Sequence, residues 1–334
     1  MSKLKAVFIL HKRHYPTVYD AEQRERIDRL VEVIHEPLTC DEVAESPEKL
    51  HGVEVIMSGW GAPLMDAGFL EHASELKAVF YGAGSVRSFV TEEFWERDIV
   101  LTSSWAANAV PVAEYTLAQI VLSLKNIWRI SRLVHSEKTY EPEEVVPRPG
   151  AYGSTVGILS LGMIGRMVCE RLKEYDVKVI AHDPFVDSSS IRELGAEPAD
   201  LDTVFREADV VSLHTPLLDS TYRMIRAGHF ASMKPWSTFI NTARGGVVHE
   251  DELVDVLRRR NDLTAILDVT DPEPPVQNSP LFDLPNVVIT PHIAGSNGKE
   301  LRRLGRYAVD ELERWIRGKP LQWRITRDAA EIMA

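Results

Sequence analysis

The 334-residue chain predicts an α/β protein built on two doubly wound parallel sheets. Short apolar runs rich in β-branched residues alternate with helix-length amphipathic stretches along most of the chain, the pattern expected of parallel strands covered by helices. These runs fall into two series with a long helical stretch between them. The length suits two domains of ordinary size, each with its own core. The first series is residues 6–10, 53–58 and 76–81, with a helical pattern over 21–34. A long helix over 111–134 and a polar, proline-bearing surface connection over 136–150 come next. The second series is 155–161, 177–181, 210–214, 238–241, 265–269 and 287–290. A last helix over 298–317 is expected to pack back on the first domain. The expected division is therefore discontinuous, with residues 1–106 and 297–334 as one domain and 107–296 as the other.

Composition narrows the function classes. Apolar residues make up 44% and charged residues 26%, an average soluble globular mix. A formal net charge of −12 argues against nucleic-acid or anionic-membrane partners, which reward a basic face. An anionic substrate would have to be drawn by local cations. Cys40 and Cys169 show no metal or redox spacing and read as small buried hydrophobes of a reduced, cytoplasmic protein. Residues 3–10 hold only a short apolar run, too short for a signal sequence. The longest apolar stretch, 115–124, is too short to span a bilayer and has Glu114 at its border.

A cofactor site is legible at the start of the second series. The strand over 156–161 feeds Ser160-Leu-Gly-Met-Ile-Gly165 and then a helix, the strand–turn–helix context of a dinucleotide fingerprint. Gly162 would let backbone approach a pyrophosphate, and Gly165 would let helix and strand pack closely. Met163 and Ile164 open the helix, whose first N–H groups and positive dipole end face the phosphates. Ser160 stands where the tight-turn glycine is usual. Asp183 lies 21 residues beyond Gly162 at the end of the next strand, where a carboxylate meets the adenosine ribose diol and repels a 2′-phosphate. NAD is thus expected rather than NADP. Asp183 alone would also serve as a turn residue before Pro184.

Three further residues carry chemistry. Arg244 directly follows the strand over 238–241, Glu273 sits in Asp268-Val-Thr-Asp-Pro-Glu-Pro-Pro275, and His292 ends the strand segment Ile289-Thr-Pro-His292. Reduction of a 2-keto acid needs a hydride at the carbonyl carbon, a proton at its oxygen and a cation for the carboxylate. The planar fork of Arg244 suits carboxylate and carbonyl together. His292 gives and takes a proton near neutrality, and Glu273 would fix its tautomer and favour imidazolium. Taken singly, each also reads as a surface ion pair or loop charge. Arg258 to Arg260 and Arg302, Arg303 and Arg306 read as solvated helix faces. Trp60 reads equally as a wall of a substrate cleft or as packing.

The chain resembles the D-isomer-specific 2-hydroxyacid dehydrogenases from Tyr81 to about Arg317. Besides the fingerprint, the likeness rests on Tyr152-Gly-x-Thr-Val-Gly157, His214-Thr-Pro-Leu217 with Thr221, Met233-Lys-Pro, Ile240-Asn-Thr-Ala-Arg-Gly245, Leu267-Asp-Val269 and Pro291-His292. It departs at Ser160 and at Ser85-Val-Arg-Ser88, where the family usually continues with an Asp-containing turn. The resemblance implies two Rossmann-like domains with an interdomain active-site cleft, NAD as cofactor, and Arg244, Glu273 and His292 as catalytic residues. It further implies that Thr215 and Pro216 border the cofactor, that Thr242 and Ala243 lie beside the nicotinamide ribose, and that Asp268 meets the nicotinamide amide. Arg244 and His292 then touch both cofactor and substrate. The backbone of Ala83 and Gly84 would hold the substrate carboxylate, and Asn108 would lie near the hinge. The region 111–134 is the family's usual dimer surface, so a homodimer is expected, with a small 2-keto or 2-hydroxy acid as substrate and no metal. The rival reading is a dinucleotide-gated corepressor of the C-terminal-binding type. Such proteins carry longer tails, whereas this chain stops at Ala334 soon after its last helix.

Overall fold

The computed structural model describes residues 3–142 and 146–333. The chain divides into two compact units, one of residues 3–109 with 296–333 and the other Val110–Gly295. The connection expected over 136–150 lies partly outside the described residues.

In the first unit five strands, β1 (Lys5–Ile9), β2 (Glu32–Val33), β3 (Val55–Ser58), β4 (Ala78–Tyr81) and β5 (Val100–Ser103), form a parallel sheet in the order β2-β1-β3-β4-β5. All four residues of β3 and of β4 are buried, because helices cover both faces. Asp20 starts the helix Ala21–Leu30 by accepting from Gln23 N–H, and Thr39 and Glu42 cap Cys40–Glu45 reciprocally. The terminal helix Leu301–Ile316 places Leu304, Ala308, Val309 and Leu312 in one core with Phe8, Met57 and Phe80. Arg26 pairs with Asp310 at 2.7 Å and Glu313 at 3.0 Å, which ties that helix to Ala21–Leu30.

The second unit holds β6 (Thr155–Leu159), β7 (Lys178–His182), β8 (Glu197–Pro198), β9 (Val210–Leu213), β10 (Thr238–Asn241), β11 (Thr264–Leu267) and β12 (Val287–Ile289). They form a parallel sheet in the order β12-β11-β10-β9-β6-β7-β8. Strand order reverses between β6 and β9, and the carboxyl ends at such a reversal open a ligand crevice. The single helix expected over 111–134 is two, Trp105–Ser123 and Ile127–Glu137. Asn126 between them has φ 51°, which ends the α-helical hydrogen-bond ladder, and its Nδ2 donates to Pro147 O at 2.6 Å. Cys169 is buried, and burial pushes its thiol up to about 12, so it stays protonated. No helix among the described residues is long and apolar enough to cross a membrane.

Candidate active site

The fingerprint turn is built at the β6–β9 reversal. Ser160 leaves β6 with φ 73°, a left-handed conformation that costs an L-residue about 1–2 kcal/mol. Two contacts hold it there: its N–H donates to His182 O at 2.8 Å and its hydroxyl lies 2.7 Å from that of Thr215. Gly162 caps the helix Met163–Leu172, and a side chain built on it would meet nothing within 4 Å, so this flank of the turn is open. At Gly165 a Cβ would stand 2.1 Å from Ser160 O, so no other residue fits. Asp183 follows β7 directly. Its Oδ2 accepts from Leu161 N–H at 2.7 Å and its Oδ1 from Phe185 N–H at 2.9 Å. The carboxylate is thereby fixed beside the turn.

Across the reversal, β9 runs into His214-Thr215-Pro216. His214 is enclosed, with Nε2 3.1 Å from Ser212 Oγ, and burial pushes it down to about 4. Thr221 Oγ1 donates to Pro216 O at 2.6 Å and accepts from Leu218 N–H at 2.8 Å, which closes the loop after Thr215.

The tip of β10 is braced by Asn241, whose Oδ1 accepts from Ala243 N–H at 3.0 Å and whose Nδ2 donates to Arg244 O at 3.1 Å. Thr242 Oγ1 lies 3.0 Å from Thr116 Oγ1. Arg244 is half-buried, extended, and donates through Nη1 to Ala243 O at 2.6 Å. The next residue presses against the loop after β11: a Cβ on Gly245 would fall 2.0 Å from Thr270 O. That contact sets the spacing between the Arg244 segment and the loop that carries Glu273.

His292 and Glu273 meet. His292 Nδ1 lies 2.5 Å from Glu273 Oε1, with both side chains partly exposed (46% and 38%). His292 adopts φ 52°, and Asp268 holds the backbone in that unusual conformation. Asp268, 2% exposed, accepts from Thr290 Oγ1 at 2.6 Å, Ile293 N–H at 2.8 Å and Ala294 N–H at 2.9 Å, while its carbonyl accepts from His292 N–H at 2.9 Å. Tyr115 OH, 3.0 Å from Thr290 Oγ1, extends the bracing. A carboxylate has about four lone-pair sites, so one acceptor site stays for a further donor. The bracing by Asn241, Thr290 and Tyr115 was not anticipated from the sequence. The position of Asn241, a short amide ending an otherwise apolar strand, was the available signal.

Ala83 and Gly84 belong to the first unit, in the loop after β4. Ser103 Oγ donates to Ala83 O at 3.0 Å and to Gly84 O at 2.5 Å, which orients both peptides. Asn108 Oδ1 accepts from Ser296 N–H at 2.9 Å, joining the residues at which the chain leaves and re-enters this unit.

The parallel sheet, the glycine turn at its reversal and the carboxylate after β7 have the form of a dinucleotide-binding unit. Residues 117–294 match the family model described as D-isomer specific 2-hydroxyacid dehydrogenase, NAD binding domain, and the chain belongs to that family. It is 30% identical over 258 residues to a D-3-phosphoglycerate dehydrogenase of Archaeoglobus fulgidus, covering 77% of this chain and 49% of that one. The chain thus spans about half the length of the phosphoglycerate dehydrogenases it matches. It is also 30% identical over 284 residues to a hydroxypyruvate reductase of Thermotoga maritima, covering 84% and 90% of the two chains. In fold it is similar to a D-isomer specific 2-hydroxyacid dehydrogenase of Lactobacillus delbrueckii solved as an NAD complex, with TM-score 0.81, 23% identity and coverage of 96% and 100%. NAD is the cofactor, and the open flank at Gly162 and the fixed Asp183 carboxylate fit it.

Proposed function

We propose that the protein transfers a hydride between NAD(H) and a small 2-keto acid, forming or consuming the D-2-hydroxy acid. The observation that carries this reading is the His292–Glu273 pair at 2.5 Å in the NAD-binding unit, one loop contact from Arg244. Asp183 would accept from the ribose hydroxyls, with Gly162, Met163, Ile164 and Gly165 at the pyrophosphate and Thr215, Pro216, Thr242, Ala243 and Asp268 along the nicotinamide end. Bound NADH supplies the hydride. Arg244 holds the carboxylate and carbonyl oxygen of the substrate, so positive charge lies where the oxygen becomes negative. His292 donates its Nε2 proton to that oxygen, and in the reverse direction takes it back. Glu273 accepts from Nδ1, which presents Nε2 to the substrate. The N–H groups of Ala83 and Gly84 are assigned to the substrate carboxylate. A cytoplasmic homodimer acting on small molecules completes the reading.

The test is a panel of 2-keto acids, including glyoxylate and hydroxypyruvate, with NADH and NADPH. NADH-dependent turnover of at least one is expected, with NADPH poorer because Asp183 opposes the 2′-phosphate. Tight NADH binding without turnover of any acid would contradict the reading and favour a dinucleotide-gated adaptor.

A further inference from the structure

The first sheet has a reversal of its own. Its order, β2-β1-β3-β4-β5, changes direction between β1 and β3, and open α/β sheets bind ligands at the carboxyl ends flanking such a point. Ile9 is level with Ser58 and Ser58 with Tyr81, so three segments leave the sheet side by side: His11-Lys-Arg-His14, Gly59-Trp60-Gly61 and Gly82-Ala83-Gly84. His11 N–H donates to Trp60 O at 2.7 Å, and Gly82 N–H donates to Ser58 O at 2.8 Å. Trp60 packs on the cores of both sheet faces, and the ring of His14 lies 5.2 Å from its centroid. Arg13 Nε in turn donates to His14 Nε2 at 3.1 Å. That bond requires an unprotonated Nε2. Burial first, then the charges of Arg13 and His11, hold His14 below the ordinary histidine value. Neutral His14 therefore fixes the plane of the Arg13 guanidinium. Lys12 is committed to Glu42, but Arg13 has no carboxylate partner among the described residues. In a chain of net charge −12, this is a local cation at the same end of the sheet as Ala83 and Gly84, with the Gly59-Trp60-Gly61 segment between them.

We propose that Arg13, oriented by His14 against Trp60, recognises a second anionic group on the substrate. The preferred substrates are then 2-keto acids that carry a carboxylate, phosphate or sulfonate beyond the reacting carbonyl. The proposal rests on the dehydrogenase reading and on Ala83 and Gly84 as the seat of the first carboxylate. It explains why an acidic protein orients at this edge an arginine that has no carboxylate partner among the described residues.

The test compares kcat/KM with NADH for two matched pairs, 2-oxoglutarate against 2-oxopentanoate and 3-phosphohydroxypyruvate against hydroxypyruvate. It is run on the parent, Arg13→Met and Arg13→Lys. In at least one pair the parent should favour the charged member by roughly tenfold or more, as charge-assisted recognition implies. Arg13→Met should lose most of that ratio, and Arg13→Lys should keep part, because it retains charge without the fork. Turnover of a neutral member by Arg13→Met shows that the variant is folded. Should it turn over neither, an unchanged ratio in Arg13→Lys overturns the proposal and a reduced one supports it. A parent with no preference for the charged member in either pair, or an Arg13→Met that keeps it, overturns this proposal and leaves the dehydrogenase reading standing. A parent that reduces neither charged acid overturns this proposal, and one that also reduces nothing on the wider panel of 2-keto acids overturns the dehydrogenase reading with it.

Discussion

At the scale of single residues the decisive contact is the one between Glu273 and His292. In the proposed reduction His292 gives a proton to the keto acid, and the Glu273 carboxylate fixes the ring through Nδ1. Glu273→Gln keeps a hydrogen bond but removes the charge. The variant should therefore lower kcat in both directions more than it raises KM for the keto acid, because the ring loses the carboxylate that fixes its tautomer. His292→Ala should lower kcat by roughly 10² to 10⁴. Steady-state rates in both directions check this; an unchanged kcat in Glu273→Gln, with chemistry limiting, would make Glu273 a loop charge. The residue types of this pair were legible from sequence because acid–base chemistry leaves few alternatives. The way Ser160 replaces a glycine was not. Its φ of 73° is tolerated through a hydroxyl contact with Thr215, 55 positions away, and no local pattern predicts so remote a partner.

At the scale of elements, strand ends do the positioning. The residue after β11, Asp268, accepts through both carboxylate oxygens to hold the turn that carries His292, and Asn241 does the equivalent for Arg244 with one amide. Strands β2, β5 and β8 were not foreseen. Two are only two residues long, and β5 is a four-residue run directly before a helix, so none shows a period of its own. The break at Asn126 escaped notice for a related reason: the apolar pattern continues through it, and only the backbone turns. His214, at the end of β9, makes the fold itself pH-sensitive. Burial pushes it from 6.5 down to about 4, so between those values the unfolded chain binds a proton that the folded chain refuses. Its contribution is full above pH 6.5 and is lost as pH falls toward 4, amounting to about 3 kcal/mol. Urea unfolding at pH 7 and at pH 4.5 should show a smaller acid loss in His214→Asn than in the parent. An equal loss in both would place the acid sensitivity elsewhere.

At the scale of the whole molecule, each unit carries a parallel sheet with one reversal of strand order, and at each reversal stand residues that no neighbouring strand needs. In the second unit they are the fingerprint, Asp183 and Thr215, which the proposed reading assigns to NAD. In the first they are Arg13, His14 and Trp60. The alternation of strand and helix was readable along the chain because buried parallel strands must be apolar on both faces. The order of strands within each sheet was not, since it depends on which helices cover which face. The central claim, direct hydride transfer between NADH and a 2-keto acid with D stereochemistry, is tested most directly with NADH deuterated at C4 on both faces. Incubation with an accepted keto acid should give D-2-hydroxy acid with one deuterium at C2, detected by mass spectrometry after chiral separation. A product of L configuration, or one without deuterium at C2, would contradict the account.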